Sequence, residues 1–295
     1  ATADKQTLMG NERTYLTGGA SGSPLADTRY GPLGIYACMD GVTFETPRTF
    51  AVRGARLLLN SLNSFALDEA ALHIPVRAVE NGVFVVAANK VGPLLPTEQV
   101  EAFSQALGIP PHVLQGAGES QIVAPDGEVL ASASRTEEEL IVADIDLAEV
   151  RPLNDRFGHR RPEIYGPLAK PHSAVPRHDV PESVEVGCVR HQTCEAAEAQ
   201  LVVLPEGTAL PASIPDGVWV ATSAVVDQRH VGQLWTADGL RHEQAQLHHS
   251  ERFDATEFGD ELTLCETPFG DIALIIGDDH LYPEVVRLAA VQGAH

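Results

Sequence analysis

A chain of 295 residues, 44% of them apolar, can bury one large core or two small ones, and a formal charge of -21 sets it against polyanions. Nucleic acid and anionic membrane surfaces are thereby excluded as partners, because repulsion replaces the gain from counterion release; small molecules and other proteins remain. No apolar run reaches the ~20 residues that cross a bilayer, and the four cysteines, at 38, 188, 194 and 265, show neither a disulfide framework nor the close ligand pairs of a zinc site, so a cytoplasmic chain with reduced thiols, no metal and no cofactor is expected.

In chain order, Lys5, Leu8 and Glu12 precede a glycine-rich, turn-forming stretch from Gly18 to Pro24. A short apolar run from Gly31 to Ala37 then reads as a buried strand ending at Cys38, with Asp40 and Gly41 marking a sharp turn. Alone, such a cysteine is a small buried hydrophobe and Lys5 a solvated charge. Glu45 and Arg48 follow, and Gly54 and Ala55 close a segment with helical spacing. The spacing of Cys38, Asp40, Glu45, Arg48, Gly54 and Ala55 resembles the nucleophile segment of the nitrilase (carbon-nitrogen hydrolase) superfamily, in which the catalytic lysine stands upstream in a Lys-x-x-Leu pattern, as Lys5 and Leu8 do, with a glutamate soon after, as Glu12 is.

Beyond Ala55 come a strand over 56–63, a helical segment ending at Arg77 to Asn81, and an almost purely apolar strand over 83–89. Arg77 and Glu80 read as a helix-end ion pair or as part of the site. A β-hairpin over 120–130 turns at Pro125, Asp126 and Gly127. Glu137 to Glu139 form a solvated acidic face, and residues 140–146 read as one more strand. Arg160 to Tyr165 resemble the tail that ends many superfamily domains, which places a first unit at 1–170 and a proline-rich linker at 171–183.

After the linker, residues 184–295 start over. A strand over 184–189 and a helix over 194–200 precede a strand over 201–204 leading to Glu206, which resembles the segment carrying the superfamily's general base. Residues 244–294 then match 5–55 without a gap at an offset of 239: Leu8 with Leu247, Glu12 with Glu251, Gly31 with Gly270, Asp40 with Asp279, Glu45 with Glu284, Arg48 with Arg287, and Gly54 and Ala55 with Gly293 and Ala294. Two tandem repeats are expected, both truncated and the second degenerate, because Lys5 becomes Gln244 and Cys38 becomes Gly277. The same offset takes Glu206 to a position before residue 1, and Ala1 is not an initiating Met, so a fragment is expected. Glu206 either serves the second copy or completes the first by complementation.

The resemblance implies an α/β fold, a four-layer α-β-β-α sandwich, incomplete in each repeat, and a carbon-nitrogen hydrolase acting on a small amide, nitrile or carbamoyl substrate. Cys38 would be the nucleophile, Lys5 and backbone N–H groups would stabilise the oxyanion, and Glu12 would orient Lys5. The alternatives are an inactive binding or regulatory module, and an N-acyltransferase using the same chemistry. A departure from the family pattern is Phe44, which stands before Glu45 where Pro is usual. Sheets short of strands imply a compact particle or a homo-oligomer.

Overall fold

The computed structural model describes residues 2–10, 12–20, 22, 24–150, 157–171, 180–189, 199–252 and 255–295. Most of the expected linker and of the expected helix over 194–200, with Cys194, lies outside them. The chain divides into two compact units, Ala1–Phe157 and Gly158–His295. Residues 158–170, read from sequence as the tail of the first unit, therefore belong to the second. The reason is packing: Ile164 and Tyr165 are buried among Leu247, Tyr282, Val285 and Leu288.

The first unit is mixed α/β. A short helix α1 (Glu12–Tyr15) precedes the hairpin β1 (Ala26–Thr28) and β2 (Gly31–Ala37). Gly31 turns the hairpin at φ 97, a conformation that favours glycine, and the Thr28 hydroxyl donates to the Gly31 carbonyl at 2.9 Å. After the one-turn α2 (Met39–Val42) come α3 (Glu45–Val52), β3 (Leu57–Leu62), α4 (Ile74–Asn81) and β4 (Phe84–Asn89). These crossovers make β2, β3 and β4 parallel neighbours. Helix α5 (Thr97–Leu107) precedes the antiparallel pair β5 (Gln121–Val123) and β6 (Val129–Ser132), which completes a six-stranded sheet in sequence order. The strands and helices expected between Gly31 and Ser132 are thus all present.

The core lies between this sheet and α3 and α4, with Phe50, Leu58, Ile74, Ala78 and Val85 buried together. Full burial of a side chain such as Phe50 or Leu58 contributes about 1.5–3 kcal/mol. Gly34 lets β2 run under α3, since a Cβ there would come within 2.7 Å of the Phe50 ring. Residues 140–146 form no strand. Leu140 is 90% exposed and Val142 77%, while Ile145 and the following Leu147 turn onto the core, so the alternation serves burial of one edge rather than a ladder.

The second unit holds a five-stranded sheet of β7 (Val186–Cys188), β8 (Leu201–Val203), β9 (Trp219–Val226), β10 (Arg229–Thr236) and β11 (Gly239–Ala245), in the order β11-β10-β9-β8-β7. Asp227 and Gln228, both at positive φ, make the two-residue turn between β9 and β10. A separate hairpin, β12 (Leu264–Thr267) with β13 (Gly270–Ala273), packs Cys265 and Phe269 near Trp219 and Leu234, and α6 (Pro283–Gln292) closes the described chain.

This hairpin has the register of β1 and β2. Ala26 pairs with Leu33 and Thr28 with Gly31; Cys265 pairs with Ile272 and Thr267 with Gly270. The Thr267 hydroxyl donates to the Gly270 carbonyl at 2.7 Å, as Thr28 does to Gly31. The helices that follow end alike: Ala55 N–H bonds the Phe50 carbonyl, and Ala294 N–H the Ala289 carbonyl, each at 3.0 Å. No helix among the described residues is long and apolar enough to cross a membrane.

Candidate active site

Cys38 sits between β2 and α2, where the chain leaves the sheet. Its backbone has φ 50 and ψ -114, outside the regions that L-residues ordinarily adopt. Neighbours on both sides hold it there. Its N–H donates to the Ser61 carbonyl at 2.9 Å and its carbonyl accepts from Gly41 N–H at 2.8 Å. Gly41 has no room for a side chain, since a Cβ would stand 2.7 Å from Asn60 Nδ2 and 2.8 Å from the Tyr36 ring. Strain of this kind persists when surrounding contacts over-determine the backbone, and it gathers at functional turns.

Lys5 and Glu12 form an ion pair, with Nζ 2.7 Å and 2.5 Å from the two carboxylate oxygens. Met9 N–H donates to the same carboxylate at 2.8 Å. Burial alone would raise the Glu12 carboxyl, but the Lys5 ammonium and the Met9 amide outweigh it and hold the group below its ordinary value. The segment carrying Lys5 is tied to the Cys38 turn by Asp40, which is fully buried and accepts from Gln6 N–H at 3.0 Å and Thr7 N–H at 2.6 Å. Nothing in the sequence spacing singled out Asp40 for this; a buried carboxylate near a turn has the signal only once its backbone donors are known.

Arg77 and Glu80 lie on α4 with Nε and Oε1 at 3.1 Å, and the Arg48 guanidinium donates to the Glu80 carbonyl at 2.9 Å. The pair lies within α4, and it is the Arg48 bond to the backbone carbonyl that ties α4 to α3. Beneath the turn, burial pushes the Tyr36 phenol up, so its hydroxyl stays protonated.

In the second unit, Gly277, which the offset of 239 aligns with Cys38, has φ 48. The space a side chain would need is filled. A Cβ on Gly277 would lie 2.6 Å from Gln246 Oε1 and 3.0 Å from His230 Nδ1. Glu206 Oε1 pairs with His230 Nε2 at 2.7 Å, His230 Nδ1 faces Gln246 Oε1 at 2.6 Å, and Gln246 Nε2 donates to the His248 carbonyl at 2.7 Å. Asp279, which the same offset aligns with Asp40, accepts Leu247 N–H at 2.8 Å, His248 N–H at 2.9 Å and the His248 ring at 2.7 Å. With Nδ1–H of His248 given to that carboxylate, Nε2 accepts from the Tyr165 hydroxyl at 2.5 Å. Gln244, the ungapped counterpart of Lys5, is instead bonded to the Glu261 carbonyl and the Thr263 N–H.

Residues 4–155, which contain Lys5, Glu12, Cys38 and Asp40, match the model of the carbon-nitrogen hydrolase family. The chain belongs to the carbon-nitrogen hydrolase family. It is similar to a nitrilase of Pyrococcus abyssi, 34% identical over 163 residues that cover 54% of this chain and 55% of that protein. A beta-ureidopropionase of Arabidopsis thaliana is 32% identical over 167 residues, covering 54% of this chain and 40% of its own. A solved amidase from Nesterenkonia sp. AN1 shares 27% identity with a TM-score of 0.42, covering 55% of this chain and 53% of that one. The chain thus spans about half the length of the curated relatives it matches.

Proposed function

We propose that the first unit of this carbon-nitrogen hydrolase cleaves a small non-peptide amide, nitrile or carbamoyl compound through a thioester on Cys38. The observation that carries the reading is Cys38 itself, held at φ 50 on a strand-to-helix turn inside the segment that matches the family. For an amide, the Cys38 sulfur attacks the carbonyl carbon, its proton passing to the substrate nitrogen, and the carbonyl oxygen takes negative charge. Lys5, fixed by Glu12, stabilises that oxyanion. Collapse breaks the carbon-nitrogen bond, and the nitrogen leaves protonated as ammonia or an amine. Water then cleaves the thioester to a carboxylic acid and restores the thiol. The kinds of relative, a nitrilase, a beta-ureidopropionase and an N-carbamoylputrescine amidase, support this substrate range.

The second unit we read as a degenerate repeat with no hydrolytic site. What supports a duplicated frame is the shared hairpin register, the shared helix-end hydrogen bond and the positive φ at both Cys38 and Gly277. A glycine has no nucleophile to offer. The pairing of Glu206 with His230 supports placing that carboxylate with the second unit's own cluster rather than with Cys38. A four-layer sandwich and a homo-oligomer remain the arrangement that this frame implies.

Ammonia release from a panel of small primary amides and N-carbamoyl compounds tests the proposal. Release by the wild type that disappears in Cys38→Ala is expected; equal release by both would overturn it.

A further inference from the structure

The Asp40 carboxylate does more than fill a buried site. It accepts two successive backbone amides, Gln6 and Thr7, and in the second unit Asp279 accepts two successive amides, Leu247 and His248. Each carboxylate stands two residues beyond the nucleophile position, Cys38 or Gly277. The residue just before the gripped pair is Lys5 in the first unit and Gln246 in the second. In the second unit the destination of that residue is visible: Gln246 Oε1 reaches to 2.6 Å from where a Cβ on Gly277 would sit. The grip has slipped by two residues relative to the ungapped sequence match, and the side chain delivered to the nucleophile position has slipped with it, from Gln244 to Gln246.

We propose that Asp40 is a positioning residue, which by gripping the Gln6 and Thr7 amides directs Lys5 toward Cys38. The proposal rests on the reading of Cys38 and Lys5 as a hydrolytic site. Two hydrogen bonds from adjacent backbone amides to one buried carboxylate fix the path of the chain at residue 5. The Lys5 carbonyl is fixed from the other side by Gly19 N–H at 2.9 Å. Lys5 then has only its side chain left to place, and Glu12 places it.

Two variants test the grip in the intact chain. Asp40→Asn turns one acceptor into a donor facing an amide; Thr7→Pro removes one donor and leaves the carboxylate. Lys5 is 17% exposed and paired, so it should react slowly with acetic anhydride, scored by peptide mass spectrometry against the exposed Lys90. Both variants should label Lys5 several-fold faster with Lys90 unchanged, and kcat for ammonia release should fall about tenfold to a hundredfold while KM stays within about twofold. Asp40→Glu, which keeps both acceptor oxygens, should recover part of the loss. Wild-type labelling of Lys5 in a folded Asp40→Asn or Thr7→Pro protein overturns the proposal. Faster labelling in a chain whose wild type releases no ammonia upholds the grip and refutes the hydrolytic reading instead.

Discussion

Cys38 and Gly277, which the offset of 239 aligns, both have positive φ, 50 and 48. A side chain at such a φ is strained by about 1–3 kcal/mol, and glycine is not. Cys38→Gly should therefore unfold at higher denaturant than Cys38→Ala, by about 1 kcal/mol, with ammonia release absent from both. Equal midpoints would mean that the turn imposes no strain on its side chain.

Gly277→Cys should not create a second active site. The new Cβ would meet Gln246 Oε1 at 2.6 Å and the His230 ring at 3.0 Å, both of them buried side chains. Overpacking of this kind costs about 1–3 kcal/mol. Equilibrium unfolding should show that loss, and iodoacetamide should leave residue 277 unmodified; rapid alkylation at unchanged stability would show an open site.

Glu12 is held below its ordinary value of 4.5, so it binds its proton more weakly in the folded chain than in the unfolded one. Its stabilisation is present above that value and is lost as pH falls through the lower folded one. The pair is partly exposed, which limits it to under about 1 kcal/mol. Denaturant midpoints from pH 6 to 3 should show the wild type's advantage over Glu12→Gln shrinking toward acid. An advantage that grows there would contradict the assigned pairing.

The first unit was the more legible in sequence because its strands are apolar runs with clear boundaries: Gly31, Cys38 and Gly41 bracket one, and Pro125, Asp126 and Gly127 turn another. Residues 140–146 misled because an apolar stretch with Ile141, Val142 and Ile145 has strand composition, and only the fold tells whether a partner strand lies beside it. The division at Phe157 and Gly158 was invisible because what decides it is the burial of Tyr165 against His248, a contact spanning 83 positions. The candidate site residues Lys5, Glu12 and Cys38 came from the family resemblance, whereas Asp40, His230 and Gln246 acquire their roles through backbone amides and through the space left at Gly277. Residue type cannot announce either. The ungapped match pairs Lys5 with Gln244, whereas the carboxylate of Asp279 grips the two residues that follow Gln246.

The most direct measurement is to quench the protein during turnover of a small primary amide and to locate the acyl group by peptide mass spectrometry. The acyl mass should appear on the peptide containing Cys38, and Cys38→Ala should carry none and release no ammonia, while Cys188→Ala and Cys265→Ala retain both. An acyl group on Cys188 or Cys265, or ammonia release that survives Cys38→Ala, would contradict Cys38 as the nucleophile.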